Sequence, residues 1–327
     1  MELRKLGTHG PEVGALALGC MSFAGFYGKT DKQESFNTLK KALDLGVTHL
    51  DTAIIYGGGL SETLIGEFMK ENPNEFVVAS KCGIITKPTR HFSNKRDYIR
   101  EAVEGSLQRL QTDHIPLYYL HRRDDEVPIE DAIGSMAELV KEGKIGGIGL
   151  SEIAPTTLER AATVHHIAAV QNEYSLWTRL PELGLIQACK RLGTAFIAFS
   201  PVGRGIFADT APDFDLFPET DFRRSCPRFI NGNYERNNAI IDRFRDYARS
   251  NGWNTAALAT AWTMAQGDHI IPIPGTRSPG HLEELAQSLD IKLGPKELAE
   301  IEDILPIGFA HGNRYSMAQI PGTELYC

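Results

Sequence analysis

Short apolar runs rich in β-branched residues recur along the chain, at Ala15–Cys20, Val47–Thr52, Phe76–Lys81, Ile115–His121, Gly146–Ser151, Ile167–Asn172, Thr194–Ser200 and Ile270–Pro274. Each is too apolar to face water, the pattern of a strand buried on both sides of a parallel sheet. Between them lie amphipathic stretches with a helical period: Asp31–Leu45, Leu60–Glu71, Arg96–Leu110, Ile129–Lys141 and Pro155–Val164. Pro181–Leu192, a pair within Glu235–Gln266, and Pro279–Ser288 continue the series. Thr30-Asp31-Lys32-Gln33 reads as a capping box, and Pro155, Pro181 and Pro279 suit a first helical turn. Eight strands alternating with helices predict an α/β fold closed into a (β/α)8 barrel. Ahead of the first barrel strand, Glu2–Val13 sets Gly7-Thr8-His9-Gly10-Pro11 between two apolar pieces, the pattern of a β-hairpin plugging the barrel bottom. Two connections are long, Gly203–Tyr234 and the C-terminal Pro306–Cys327, and long loops in a compact domain usually serve binding. No repeat, linker or domain boundary interrupts residues 1–327, which read as one domain.

Charge narrows the partners. The formal net charge is −8 and there is no basic block, which argues against nucleic acid or an anionic membrane surface. No run approaches ~18 uninterrupted apolar residues, and Met1–Gly10 has no apolar signal core. The cysteines (Cys20, Cys82, Cys189, Cys226 and Cys327) are odd in number and form no C-x-x-C, which suits a reducing cytoplasm. Cys20 and Cys82 lie near strand ends and read as small buried hydrophobes.

Candidate chemistry gathers where the apolar runs end. Asp51 closes the second, Lys81 the third and His121 the fourth, and Tyr56 follows Asp51 in the same strand-to-helix loop. In a (β/α)8 barrel all strand C-termini open on one face, so these four residues should converge at one mouth. A phenol has a reference pKa near ~10, which a neighbouring ammonium lowers. Lys81 can supply that ammonium, Asp51 can hold it charged, and His121 can donate a hydrogen bond to a carbonyl oxygen or assist proton transfer. Singly each is weak: Asp51 could cap a helix, Lys81 could lie on the surface, and Arg122-Arg123-Asp124-Asp125-Glu126 after His121 reads as a solvated loop. Their combination at strand ends carries the argument. Only His121 of ten histidines sits at a strand end, which argues against a metal-dependent hydrolase. No G-x-G-x-x-G follows a strand, which argues against a Rossmann domain.

These residues sit in longer motifs. Asp51-Thr-Ala-Ile-Ile-Tyr56-Gly-Gly-Gly-Leu-Ser-Glu62 resembles the aldo-keto reductase signature D-T-A-x-x-Y-G-x-G-x-S-E. Leu18-Gly19-Cys20-Met21, Ala79-Ser80-Lys81, Leu117-Tyr-Tyr-Leu-His121, Gly143-Lys-Ile145 and Gly149-Leu-Ser-Glu152 match the family in order. So do Gln171-Asn-Glu-Tyr-Ser-Leu176, Phe199-Ser-Pro-Val-Gly-Arg-Gly205 and Ile273-Pro-Gly-Thr276. The resemblance covers essentially the whole chain, and is nearest in look to the bacterial, fungal and plant branch with perakine-reductase-like enzymes.

The resemblance implies an NADPH-dependent oxidoreductase that interconverts aldehydes or ketones and alcohols by hydride transfer. Tyr56 would be the general acid/base, Lys81 and Asp51 its tuners, and His121 the carbonyl orienter. It also implies a cofactor site. Gly19, Cys20 and Met21 would stand beside Asp51, Ser151 and Gln171 would hold the nicotinamide carboxamide, and Phe199 would stack on the ring where the family usually has Tyr. Glu152 stands where many members carry Asn. The loop Ser200, Pro201, Val202, Gly203, Arg204 and Gly205 would meet the diphosphate with backbone N–H groups and one guanidinium. Pro274, Gly275, Thr276, Arg277, Ser278 and His281 would meet the adenosine 2′-phosphate, favouring NADP(H) over NAD(H), and Glu284 the adenine. Leu285 departs from a frequent Asn. Met21, Phe23, Phe26, Tyr27 and Ile55, with the two long loops, would wall a pocket for an apolar or aromatic carbonyl. A nicotinamide-binding regulatory subunit like the potassium-channel β-subunits shares this fold and is the other reading. The physiological substrate and direction, and whether the protein is a monomer or homo-oligomer, are not legible.

Overall fold

A computed structural model gives the structure of residues 1–219 and 221–326. Strands β1 (Leu3–Lys5) and β2 (Glu12–Gly14) pair antiparallel as the expected hairpin. The repeating unit then runs β3 (Leu18–Gly19), α1 (Lys32–Asp44), β4 (His49–Asp51), α2 (Leu60–Glu71) and β5 (Val77–Cys82). A small antiparallel pair, β6 (Ile84–Ile85) and β7 (His91–Phe92), interrupts it before α3 (Arg96–Leu110), β8 (Leu117–Leu120), α4 (Ile129–Lys141), β9 (Ile148–Ser151) and α5 (Pro155–Ala162). It ends with β10 (Ile167–Glu173), α6 (Leu185–Leu192), β11 (Ala195–Phe199), α7 (Asn233–Ser250), α8 (Thr255–Ala265), β12 (Ile270–Ile273), α9 (Pro279–Ala286) and α10 (Pro295–Ile304).

The eight barrel strands are hydrogen-bonded in parallel in the order β12-β11-β10-β9-β8-β5-β4-β3. The seam closes between the first strand and the last. Ala17 N–H donates to Pro272 O at 3.1 Å, Gly19 N–H to Pro274 O at 3.0 Å, and Gly19 bridges Gly275 in parallel. The chain is therefore a (β/α)8 barrel with helices outside.

Leu6 and Val13 of the hairpin are fully buried in one cluster with Ala17, Leu117, Tyr119, Ile197 and Ile271 from the barrel lumen, so the hairpin is the plug. Arg4 fastens it, donating to the carbonyls of Gly267 (3.0 Å) and Met264 (3.3 Å) below β12. The lumen is tight enough to require glycine at 149, where an added Cβ would lie 2.3 Å from the Tyr119 ring. A larger cluster, including Leu50, Ile65, Ile99, Ile133, Leu150 and Phe196, fills the space between strands and helices.

Some boundaries differ from the sequence expectation. The cap of α1 is Asp31, whose carboxylate accepts from Glu34 N–H at 2.7 Å, so Thr30 precedes the cap and Gln33 lies in the first turn. Pro181–Leu192 divides into a short turn, Leu180–Glu182, and α6, because Gly184 at φ 115° breaks the helix. The run Arg122–Glu126 is solvated only at its end: Asp125 and Glu126 are exposed, whereas Arg122, Arg123 and Asp124 are buried. Asp124 N–H donates to Asn94 Oδ1 at 2.9 Å, and Arg123 reaches Glu324 of the C-terminal tail at 3.3 Å. The long β11–α7 loop carries four short turns among its described residues. Of the cysteines, Cys20, Cys82, Cys189 and Cys226 are buried and unpaired, and Cys327 lies outside the described residues.

Candidate active site

The mouth at the strand C-termini opens into a cavity of about 800 Å³, within the usual size for a small-molecule site. Asp51 ends β4, and its backbone carbonyl accepts from Cys20 N–H at 2.8 Å, tying it to the end of β3. After it the chain turns through Gly57, Gly58 and Gly59, all at positive φ, which swings Tyr56 back over the strand ends. Lys81 lies on β5 with no exposed side-chain surface. His121 follows β8, its N–H donating to Cys82 O at 2.7 Å.

The structure brings these four together. The Lys81 ammonium contacts Asp51 Oδ1 and donates to Thr52 O at 2.8 Å. It also stands 5.2 Å from the centre of the Tyr56 ring. The rings of Tyr56 and His121 meet edge to face at 6.0 Å. Gln171 Nε2 donates to the other carboxylate oxygen of Asp51 at 2.7 Å.

Burial dominates the electrostatics here. It pushes the Tyr56 phenol well above its usual pKa, and the Asp51 carboxylate pushes the same way, while Arg122 opposes. Lys81 is not among the groups that lower it, since its ammonium is bound to Asp51, and the net shift is upward. Burial likewise lowers Lys81, with Asp51 opposing. Burial, aided by the charges of Arg122, Lys81 and Arg90, holds His121 well below its usual value, so its imidazole is neutral near pH 7. The corner presents a protonated phenol and a neutral imidazole side by side.

Around the cavity, Gly19, Cys20, Met21, Phe26, Tyr27, Ile55, Ser151, Gln171 and Phe199 all line the wall. Phe23 does not. It is completely buried in the core between strands and helices, because the short turn Met21–Ala24 points it inward. On the far side Ser200, Val202, Arg204, Gly205, Gly275, Thr276, Arg277, Ser278, His281, Glu284 and Leu285 line the cavity. Pro201, Gly203 and Pro274 are buried behind that lining. Gly203 shapes the loop, since an added Cβ would lie 2.9 Å from Phe207 at φ 58°.

Two cationic side chains have partners that the sequence did not disclose. The Arg204 guanidinium is buried against Glu173 at 3.1 Å and lies over the rings of Phe222 and Tyr315. Arg277 reaches Glu34 of α1 at 3.4 Å and Tyr27 O at 3.3 Å. Glu152 is off the cavity wall altogether. Its carboxylate accepts from Glu173 N–H at 2.9 Å and binds Arg314 of the tail. Burial works against the Glu173 carboxylate, but Arg204, Arg314 and Arg228 hold it below the usual range.

Several lining residues were not among those singled out from the sequence: Glu34, Arg90, Arg122, Phe222, Tyr315 and Gln319. Arg90 comes from the β6–β7 turn, and the last three come from the two long segments flagged for binding. Arg122 had a signal, its place beside His121 at a strand end.

Known proteins resemble the chain throughout. Residues 15–306 match the aldo/keto reductase family. A probable aldo-keto reductase from Glycine max is 39% identical over 315 residues, 95% of this chain and 91% of that protein. The structure superposes on a glycerol dehydrogenase from Gluconobacter oxydans with a TM-score of 0.84 at 28% identity, covering 93% of this chain and 94% of the other. An aldo-keto reductase from Klebsiella pneumoniae, solved in complex with NADP and acetate, superposes with a TM-score of 0.74 at 26% identity, covering 97% of this chain and all of the other.

Proposed function

The chain belongs to the aldo/keto reductase family, and from that premise we propose that it reduces aldehydes or ketones to alcohols, and the reverse, with NADPH as hydride donor. The observation that carries this reading is the corner where Tyr56, His121 and the Lys81–Asp51 pair meet in one buried site. Reduction of a carbonyl needs a proton delivered to oxygen as hydride reaches carbon. Tyr56 is the proton donor, its phenol kept protonated by burial and by Asp51. His121, as the neutral imidazole, donates a hydrogen bond to the same oxygen. Lys81 and Asp51 form a buried ion pair beside the ring, and the Asp51 carboxylate favours the protonated phenol.

The donor set fits a nicotinamide dinucleotide. Such a cofactor supplies a hydride from the nicotinamide ring. Gln171 has committed its amide N–H to Asp51, which leaves its Oε1 for a carboxamide N–H, with Ser151 beside it. The Phe199 ring offers a stacking face. The helix α9 N-terminus, with Ser278 as its cap, and the Arg277 guanidinium suit a 2′-phosphate. Arg277 would exchange Glu34 for that phosphate. Arg204 serves the diphosphate loop as a brace held by Glu173 rather than as a free guanidinium. Apolar walls at Met21, Phe26, Tyr27 and Ile55 favour a substrate with an apolar or aromatic body.

No helix among the described residues is long and apolar enough to cross a membrane. We place the protein in the cytoplasm, a reading supported by its buried, unpaired thiols. Purified protein given NADPH and 4-nitrobenzaldehyde should consume the cofactor and form the alcohol. Binding of NADPH with no turnover across a broad carbonyl panel would contradict the assignment.

A further inference from the structure

Arg122 sits on the cavity wall between His121 and Ser151, and it is only 8% exposed. Its Nη1 donates to His121 O at 2.7 Å and lies 3.4 Å from Ser151 Oγ. Its Nε is sealed from solvent and has no hydrogen-bond partner. Among the described residues no carboxylate pairs with it. Arg90 lines the same end of the cavity. It too lacks a carboxylate, with Nη1 3.3 Å from Ala318 O and its guanidinium over the Phe92 ring.

The neighbouring charges make this unusual. Arg204 has Glu173, Arg223 has Asp221, and Arg314 has Glu152 and Glu173. Asp51 is taken by Lys81. These acids are committed, which leaves Arg122 buried on the cavity wall without a carboxylate and the exposed Arg90 beside it, also without one. A buried guanidinium without a counter-ion is unfavourable, and its fork geometry suits a planar or tetrahedral oxyanion. The proposed phosphate contacts of the cofactor lie at the opposite end, along Ser200–Gly205 and Arg277–Ser278, so the cofactor does not supply the missing charge.

We infer that the substrate carries an oxyanion, a carboxylate or phosphate monoester, which seats between Arg122 and Arg90 while its carbonyl meets Tyr56 and His121. The choice of a carbonyl compound rests on the reductase reading; the oxyanion rests on the two arginines. The apolar wall then holds the body of the molecule, and the arginines set which end faces the tyrosine.

The test uses matched pairs. The full-length protein with NADPH is given 4-carboxybenzaldehyde against 4-formylbenzamide, and 4-formylphenyl phosphate against the uncharged 4-methoxybenzaldehyde, in which methyl replaces the phosphoryl group. The anion of at least one pair should have kcat/KM about tenfold or more above its neutral partner, the size of one charge-assisted hydrogen bond. Whichever anion gains more identifies the acid recognised. Arg122→Met and Arg90→Gln should each bring that ratio toward one, and Arg122→Lys should keep part of it. Arg90 is exposed, so its variant serves if Arg122→Met does not fold. A readout without turnover is calorimetric binding of benzoate and phenyl phosphate against benzamide in the presence of NADP⁺. Tighter anion binding that depends on Arg90, in a protein that turns over no carbonyl, would uphold the oxyanion site and remove the reductase reading. Neutral and anionic partners reduced and bound equally would overturn the oxyanion site and leave the reductase reading standing.

Discussion

Gln171 Nε2 lies 2.7 Å from Asp51 Oδ2, reaching from β10 to the end of β4. With Lys81 on the other oxygen, both lone-pair faces of the Asp51 carboxylate are occupied. Asp51 is therefore no proton acceptor for the substrate. It is a fixed charge that holds Lys81 in place and favours the protonated form of Tyr56.

That pairing predicts a stability cost. Asp51→Asn leaves the Lys81 ammonium buried without a counter-ion, and removing one partner of such a pair costs about 3–5 kcal/mol. Urea unfolding should show that loss for Asp51→Asn and recover much of it in Asp51→Asn with Lys81→Met. A single variant within about 1 kcal/mol of wild type would mean that the pair is solvated.

The pH profile follows from the two shifts. Reduction needs the Tyr56 phenol protonated, so activity is lost only as pH rises through a pKa held above its ordinary value. His121, held below its ordinary value, stays neutral on the alkaline side of it. Measured as kcat/KM, carbonyl reduction should be level between about pH 6.5 and pH 9. Lys81→Met leaves Asp51 uncompensated beside the phenol, so any residual activity should move its basic limb further up. A limb near pH 7 in the wild type would assign the proton to another group.

The eight strands were legible because each is a continuous apolar run, a signal that needs no partner to be read. Asp51, Lys81 and His121 were legible because they are polar residues ending such runs. α10 carries its own start, Pro295 in the first turn and Glu297 accepting from Gly294 N–H at 2.8 Å. It was passed over because the strand–helix alternation is already complete. The partners of Arg204, Arg277 and Glu152 were not legible, since Glu173, Glu34 and Arg314 meet them only through the fold. Phe23 illustrates the same limit: an aromatic residue in a loop gives no sign of whether it faces a cavity or the core.

The tail is held by Arg314, whose guanidinium binds Glu152 and Glu173 below the cavity wall formed by Tyr315 and Gln319. Arg314→Met should loosen residues 312–326, seen as faster hydrogen exchange there. KM for carbonyl substrates should rise about tenfold, the value of a charged hydrogen bond, with a smaller change in kcat. Unchanged exchange would show that the tail is held by its other contacts.

Cofactor choice turns on Arg277 and the acid beside it. NADPH should bind more tightly than NADH, and Arg277→Ala should remove roughly 10- to 150-fold of NADPH affinity, the loss of one charge-assisted hydrogen bond. Glu34→Gln frees Arg277 from its 3.4 Å partner and should strengthen the preference for NADPH. Fluorescence titration of both cofactors measures this. A preference unmoved by Arg277→Ala would take that residue out of the site.

The most direct test of the central claim is the turnover of Tyr56→Phe set against its cofactor affinity. The substitution removes one hydroxyl and leaves the ring, the Lys81–Asp51 pair and the cofactor wall in place. Carbonyl-dependent NADPH consumption should fall by about 10²–10⁴, the contribution of a positioned acid, while NADPH still binds as it does to the wild type. Retention of more than about a tenth of wild-type turnover, against that expected loss, would contradict Tyr56 as the proton donor.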